Sequence, residues 1–258
     1  MNPARHMILA AAICCMAPAF ATTLFFAGDS TLDDYRRKPR PPYASWGTEL
    51  ERHMKDGNKV DNHARSGASS KSFVEAGYWT NMLARVQPGD FVVIQFGHND
   101  QKHSNEFYRT KRFTSVNGTY EEHYTRFVKD VRAKGATPMF ATSIVRGTFD
   151  KAGKKLVDGK DRKYGTNLRS YAEAAIALGK KLNVDVVDMN ALTHDLLEKV
   201  GKDESMKFFV ISTGLVKGKD GEPSKDTTHP IKAGAEAFAK LFLDDVKARG
   251  LPVANLFR

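Results

Sequence analysis

Short β-type runs alternate with helix-type segments along this chain, and no other feature restricts its possible folds as strongly. Five runs have strand character, at residues 23–26, 59–61, 90–95, 138–143 and 184–187. Strands that are separated by helical segments favour parallel pairing, because a parallel neighbour needs a long crossover connection. The alternation therefore predicts an α/β protein with a parallel sheet that helices cover on both faces.

The segments between these runs have helical character. Thr119 and Glu122 fit a capping box that opens a helix ending at Gly135. Residues 168–182 are rich in alanine and leucine, which favour helix. A last helix, ending near Gly250, places five apolar residues on one face: Ala235, Phe238, Ala239, Phe242 and Val246.

The first 21 residues have the pattern of a signal peptide. Arg5 precedes an uninterrupted apolar run at residues 7–16, and Ala-Phe-Ala at 19–21 fits a cleavage site. The run is shorter than the roughly 20 residues that span a bilayer. We therefore expect a signal peptide at 1–21, one domain at 22–258, and a secreted or periplasmic protein without membrane association after cleavage. An N-terminal core helix is the alternative.

Composition excludes several classes of protein. The two cysteines, Cys14 and Cys15, are adjacent, which rules out a disulfide framework, a CxxC redox pair and a cysteine-based zinc site. Forty basic residues against 30 acidic ones give a net charge of +10. Basic stretches at 36–40, 102–112 and 151–163 are either solvated loops or a surface that attracts a polyanion such as a uronic-acid polysaccharide. Both interpretations stay open.

Polar motifs follow the strand-like runs, where parallel α/β sheets bind their ligands. Each motif alone fits an ordinary turn or helix cap. It is their combination and order that indicate a reaction site. The motifs are Gly28-Asp29-Ser30-Thr31, the run from Asn62 to Ser70, Gly97-His98-Asn99-Asp100, and Asp226-Thr227-Thr228-His229.

In this order the motifs resemble the SGNH or GDSL hydrolases, which are named after four residue types that match Ser30, Gly67, Asn99 and His229. The resemblance spans the whole predicted domain, and within the superfamily it points to the rhamnogalacturonan acetylesterases. It implies a flavodoxin-like, three-layer α/β/α sandwich with a five-stranded parallel sheet. It also implies serine-ester hydrolysis without a metal or cofactor.

The chemistry of these residue types agrees with the resemblance. A serine such as Ser30 becomes a nucleophile when a neutral histidine such as His229 accepts its proton. Asp226, three residues before His229, is suited to orient the imidazole. The resemblance assigns the oxyanion hole to the Ser30 and Gly67 N–H groups and the Asn99 amide. Asp29 is expected to orient the turn.

Other chemistries lack their motifs: the chain contains no G-x-S-x-G, S-x-x-K or H-E-x-x-H sequence. The chain also departs from the pectic esterases, which often have arginine directly after the glycine of the second motif and another arginine three residues further on. This sequence has Ala68 and Lys71 at those two positions. Because of this departure, the motifs do not identify which polysaccharide is the substrate. Four residues are candidate substrate contacts, namely Arg65, Lys71, His98 and Arg146. For His98 a structural role is favoured, and substrate contact is the alternative.

We therefore expect a monomeric esterase that removes O-acetyl groups from a plant cell-wall polysaccharide, with pectic rhamnogalacturonan favoured, and has no nucleic-acid partner. Residues 107–113 either floor a sugar-binding groove or pack locally. Two alternatives keep the fold: an acetylesterase for xylan or another glycan, and a lysophospholipase-type lipid esterase. A third is a basic module that binds polyuronate or nucleic acid without catalysis.

Overall fold

The computed structural model describes residues 21–157, 167–218 and 220–258. The predicted signal peptide, apart from Ala21, and both cysteines lie outside the described residues. The signal peptide and the single domain at 22–258 therefore stay predictions. In the described part of the chain, no helix combines the length and apolarity needed to cross a membrane.

The described residues form one five-stranded parallel sheet with the strand order β2-β1-β3-β4-β5. β1 lies between β2 and β3, so that Phe25 pairs with Asp61 on one side and Val92 on the other. The predicted parallel sheet is confirmed, with strand ends shifted by one or two residues. The strands are β1 (Thr23–Gly28), β2 (Lys59–Asn62), β3 (Phe91–Gln95), β4 (Thr137–Ala141) and β5 (Asp185–Val187).

Helices connect the strands and follow the last one. In chain order they are α1 (Trp46–Glu49), α2 (Ser70–Glu75), α3 (Tyr78–Leu83), α4 (Glu106–Lys111), α5 (Thr119–Ala133), α6 (Leu168–Leu182), α7 (Met189–Val200), α8 (Lys202–Met206) and α9 (Lys232–Ala248). The described ranges also contain short 3-10 helices at Leu50–His53, Val210–Thr213 and Pro252–Leu256.

The alternating side chains of β1 divide the core into two layers. Leu24 and Phe26 face α1, α7 and α9, whereas Phe25 and Ala27 face α2, α3, α5 and α6. All four side chains are at least 98 % buried, as expected for a strand with helices on both sides. The three-layer α/β/α sandwich is therefore confirmed.

Helix α5 begins differently from the prediction. Gly118 is its N-cap residue and Thr119 is already helical, so the predicted capping box is wrong. The Thr119 hydroxyl instead accepts a hydrogen bond from the Ser115 N–H at 3.0 Å, which ties it to the preceding loop. The predicted ends are confirmed, because Gly135 and Gly250 adopt φ angles of +71° and +62° just beyond α5 and α9.

Aromatic packing joins α9 to the central strand. The predicted apolar face of α9 is buried, and the Phe242 ring lies 5.2 Å from Trp46, which in turn packs edge-on against Phe26 at 5.6 Å. α9 follows directly after His229. This packing therefore fixes the position of the histidine motif relative to β1.

We expect Phe242→Ala to destabilise the protein by about 3–5 kcal/mol, because it removes a fully buried ring and leaves a cavity against Trp46. Urea unfolding followed by circular dichroism measures the change. Lys240→Ala on the exposed side of α9 is the control, with an expected change within about 0.5 kcal/mol. Equal stabilities of the two variants would contradict this account of the core.

Candidate active site

The turn after β1 presents Ser30 at the carboxyl edge of the sheet. Asp29 accepts hydrogen bonds from the N–H and hydroxyl of Thr31, both at 2.9 Å, so it orients the turn as predicted. Burial raises the pKa of Asp29, while the bonds from Thr31 oppose that rise. A Cβ at Gly28 would lie 2.9 Å from the Gln95 carbonyl oxygen of the neighbouring strand, so this close approach requires glycine.

Backbone hydrogen bonds hold the loop that carries Asp226 and His229 from several sides. Four carbonyls of this loop each receive an N–H from a segment that is distant in sequence. The pairs are Ile211 N–H to Asp226 O at 2.9 Å, Gly147 N–H to Thr227 O at 2.8 Å, Val210 N–H to His229 O at 3.1 Å and Ala44 N–H to Pro230 O at 2.9 Å. The loop is therefore fixed to the body of the protein before any substrate binds.

The structure brings the three predicted catalytic side chains into one line. Ser30 Oγ lies 2.8 Å from His229 Nε2, and His229 Nδ1 lies 2.7 Å from Asp226 Oδ2. The other carboxylate oxygen of Asp226 accepts the Thr228 and His229 N–H groups at 2.9 and 3.0 Å. Burial disfavours the charge on Asp226, but these bonds outweigh it and lower its pKa below the ordinary value.

This arrangement determines the tautomer of the imidazole. An ionised Asp226 accepts a proton-bearing Nδ1, so Nε2 of the neutral ring has a lone pair directed at the Ser30 hydroxyl. The His229 side chain is 25 % exposed, so a substrate can reach it from solvent. The site is thus arranged to remove a proton from Ser30.

The candidate oxyanion donors lie at the ends of three neighbouring strands. Among the described residues, neither Ser30 N–H nor Gly67 N–H donates to a protein acceptor. Gly67 has φ +79°, and a Cβ there would lie 3.1 Å from Arg112 Nη2. The Asn99 amide donates one hydrogen to Ala68 O at 2.8 Å, which places it beside Gly67.

Tyrosines that the sequence analysis did not single out border the nucleophile and the base. The Tyr35 hydroxyl donates to the Ser30 carbonyl at 2.8 Å, and the Tyr43 ring packs edge-on against His229 at 5.4 Å. Both lie in the loop after β1. Tyr35 and Tyr43 stand in a loop sequence of an ordinary kind, so nothing in that sequence predicts these contacts.

Two cations that the motifs do not include contact Asn99. Lys102 Nζ donates to Asn99 Oδ1 at 2.8 Å, and Arg112 Nη1 donates to the same oxygen at 3.2 Å. Arg112 lies in the stretch at 107–113 that the sequence marked as a possible groove floor. Lys102 stands three residues after Asn99 in the sequence, and this short spacing is the feature that could have identified it.

The residues directly around Asn99 are buried beneath the site. Asp100 accepts hydrogen bonds from the Ser70 N–H and hydroxyl and from the Thr114 hydroxyl, and burial raises its pKa to about 7. His98 is 98 % buried, and burial together with Arg146 keeps its pKa well below the ordinary value. This burial fits the structural role favoured for His98, and its contact with substrate stays a prediction.

The other expected substrate residues have different surroundings. Arg65 lies over the Tyr78 ring at 5.0 Å and lines a surface groove. Lys71 donates to the Thr110 carbonyl and so joins α2 to the end of α4. The two terminal guanidinium nitrogens of Arg146 lie 2.7 and 2.9 Å from the side-chain amide of Gln101. Of the three, only Arg65 lines the groove.

This groove opens beside Gly67 and Ala68 and has a volume of about 1030 Å³. Phe107, whose side chain is 57 % exposed, lies on its wall beside Arg112. Cations outnumber carboxylates in the lining by six to two: Arg37, Lys38, Arg40, Arg65, Lys111 and Arg112 against Asp33 and Asp34. The groove therefore attracts anions next to the candidate oxyanion donors.

No group of three or more His, Cys, Asp or Glu side chains in the described ranges is arranged to hold a metal ion. The chemistry described above uses protein groups throughout.

Comparison with known proteins places these features in a family. Residues 26–237 match the GDSL-like lipase/acylhydrolase family. The chain is 36 % identical over 232 residues to the rhamnogalacturonan acetylesterase RhgT of Bacillus subtilis (strain 168), covering 90 % of this chain and 92 % of that protein. It is 25 % identical over 258 residues to a rhamnogalacturonan acetylesterase of Emericella nidulans, covering 92 % and 90 %.

Solved structures share the fold. Protein YxiM of Bacillus subtilis superposes with a TM-score of 0.70 at 25 % identity, covering 90 % of this chain and 58 % of that one. The acetylxylan esterase Axe2 of Geobacillus stearothermophilus superposes with a TM-score of 0.59 at 17 % identity, covering 88 % and 95 %. With the sheet, the motif order and these matches together, the chain belongs to the GDSL-like lipase/acylhydrolase family and is a carboxylic ester hydrolase.

Proposed function

We propose that this protein is a serine esterase that removes O-acetyl groups from an acetylated pectic polysaccharide, with Ser30, His229 and Asp226 as its catalytic triad. The observation that carries the proposal is the pair of contacts at 2.8 and 2.7 Å that join the three side chains. A Ser–His–Asp line of this geometry is the arrangement that activates a serine hydroxyl for attack on an acyl carbonyl.

The reaction follows from these positions. Ser30 Oγ attacks the acetyl carbonyl carbon while His229 Nε2 takes the hydroxyl proton, and the carbonyl oxygen becomes an oxyanion. The Ser30 and Gly67 N–H groups and the second amide hydrogen of Asn99 stabilise that charge. The C–O bond to the sugar then breaks, and the imidazolium of His229 gives its proton to the sugar oxygen. Water, deprotonated by His229, then attacks the acetyl carbon of the acetyl-enzyme. The bond to Ser30 Oγ breaks, the imidazolium of His229 returns its proton to Oγ, and acetate leaves.

Two observations support a pectic substrate. The relatives with matching length are named rhamnogalacturonan acetylesterases, and pectic backbones contain galacturonate, whose carboxylates suit a groove with six cations and two carboxylates. Six cations in the lining suit a polyuronate better than the single acyl chain of a lysophospholipid. The intact line from Ser30 to Asp226 disfavours a binding module without catalysis.

Acetylated xylan is the second candidate substrate, because the acetylxylan esterase Axe2 has the same fold. Xylan has fewer carboxylates than the galacturonate backbone of pectin, so it makes less use of the basic groove. We propose the pectic polymer for this reason.

We also propose that the protein acts outside the cytoplasm, as the leader-like residues 1–21 suggest. Expression with the complete leader in a bacterial host tests this: the exported protein should begin at Thr22 by mass spectrometry. Recovery of uncleaved protein solely from the cytoplasm would contradict the proposal.

Acetate release by residues 22–258 and by Ser30→Ala tests the substrate and the nucleophile together. Three substrates are compared: acetylated rhamnogalacturonan, acetylated xylan and p-nitrophenyl acetate. We expect the wild-type chain to prefer the pectic polymer and Ser30→Ala to lose turnover on all three, because no other hydroxyl adjoins His229 Nε2 in the described residues. Asp226→Asn should lower kcat with little change in KM, since it disturbs the tautomer of His229.

The outcomes separate the two parts of the proposal. An active Ser30→Ala variant would remove the nucleophile assignment. Wild-type release from xylan or the small ester alone would keep the mechanism and discard the pectic substrate. A melting curve of Ser30→Ala that matches the wild type shows that the fold persists.

Charge reversal in the groove tests substrate recognition apart from catalysis. Lys38→Glu with Lys111→Glu replaces two exposed groove cations, and we expect kcat/KM on the pectic polymer to fall about tenfold more than kcat/KM on p-nitrophenyl acetate. Lys129→Glu with Lys181→Glu makes the same charge change on the α5–α6 surface and is the control. An equal fall for both substrates would mean that the groove does not select polyuronate.

A further inference from the structure

The Asn99 side chain has an unusual set of partners. Its carbonyl oxygen accepts hydrogen bonds from two cations, Lys102 Nζ at 2.8 Å and Arg112 Nη1 at 3.2 Å. Its amide nitrogen donates to the Ala68 carbonyl at 2.8 Å. Asn99 is 98 % buried, so these protein groups determine its surroundings.

These partners permit one orientation of the amide. Lys102 and Arg112 can donate but not accept, and Ala68 O can accept but not donate. A flipped amide would place NH2 against two cations and its oxygen against a carbonyl oxygen, and in a buried position that loses every bond. The two cations therefore keep the Asn99 nitrogen on the side of Gly67 and Ala68, where the candidate oxyanion hole lies.

The same contacts change the electron distribution of the amide. A cation at an amide oxygen draws charge from the nitrogen and makes its N–H groups stronger donors, and a poorly solvated site enlarges this effect. Lys102 is partly withdrawn from water: burial, together with the nearby Arg112 and Arg146, lowers its pKa. Positive charge at the Asn99 oxygen is therefore suited to strengthen the bond between the Asn99 N–H and an oxyanion.

Arg112 is held in place independently of Asn99. Its guanidinium lies 5.3 Å from the Tyr108 ring centroid and 5.7 Å from that of Phe107. Its other terminal nitrogen lies 3.1 Å from the point where a side chain at Gly67 would begin, so the absence of a Cβ at Gly67 gives the guanidinium its room. We name Lys102 and Arg112 together the clamp. Through Arg112 the clamp connects the end of α4 to Asn99 and Gly67, two of the candidate oxyanion donors.

We propose that the clamp acts as a pair of positioning residues for ester hydrolysis: Lys102 and Arg112 fix the Asn99 amide with its N–H toward the oxyanion and strengthen that N–H as a donor. This inference rests on the proposed function, specifically on Asn99 as an oxyanion donor. It adds two residues outside the four motifs to the machinery of the reaction.

A double-mutant cycle on p-nitrophenyl acetate, which does not fill the groove, tests the clamp. Asn99→Ala alone should lower kcat by about 10²–10³, as for a lost oxyanion donor. Lys102→Met alone should lower kcat about tenfold with little change in KM, since it weakens the donor but not ground-state binding. Lys102→Met added to Asn99→Ala should have almost no further effect, because the amide through which it acts is gone. Lys102→Arg, which keeps a cationic donor, should recover most of the loss.

Two further variants keep the test decisive. Lys134→Met removes a half-buried lysine at the opposite, amino-terminal edge of β4 and should keep wild-type kcat. If Lys102→Met fails to fold by circular dichroism, Arg112→Gln takes its place in the same cycle, because it removes the charge from the same Asn99 oxygen.

The outcomes distinguish the clamp from the function on which it rests. Wild-type kcat in Lys102→Met, or full additivity of the two losses in the double variant, would overturn the clamp. Wild-type kcat in Asn99→Ala would instead overturn the oxyanion role of Asn99. No hydrolysis by the wild-type chain, with Ser30→Ala identical to it, would overturn the proposed function itself.

Discussion

The parallel pairing of β1 with β2 on one side and β3 on the other is the constraint on which the candidate site depends. Because the three strands run in the same direction, their carboxyl ends lie at one edge of the sheet, where strand order reverses. Ser30, Gly67 and Asn99 each follow one of these strands. An antiparallel β2 or β3 would move its motif to the opposite edge, more than a strand length away.

Charge is distributed unevenly around this edge. Asp226 is the carboxylate that bonds to His229, and hydrogen bonds that outweigh burial keep its pKa low. Asp29 and Asp100 lie deeper, and burial raises the pKa of each. The excess of positive charge lies in the groove and at the Asn99 oxygen. The negative charge that develops in ester hydrolysis would thus form on the side where the protein already holds cations.

Local sequence was enough for the features that depend on neighbouring residues. Strand runs, the buried face of α9 and the polar motifs follow from periodicity and turn chemistry. The roles of Ser30, Asn99 and His229 came from the combination of motifs and the family resemblance, and they stay predictions. Contacts across the chain were not accessible in this way. Thr119 bonds to Ser115 rather than capping α5, and Arg112 reaches Asn99 only because α4 folds back beneath it. The burial of His98 likewise depends on packing that no local pattern records.

The line from Ser30 to His229 joins residues that are 199 positions apart. The proposed nucleophile lies in the turn after β1, and the proposed base lies three residues before α9, so an amino-terminal fragment contains both only if it extends almost to the last long helix. A chain that ends before Lys232 lacks α9, and with it the packing of Phe242 on Trp46 that fixes the loop of His229. With the proposed triad, ester hydrolysis therefore requires the chain to fold as far as α9. A chain that ends between β5 and Asp226 would keep all five strands and yet hold Ser30 without His229.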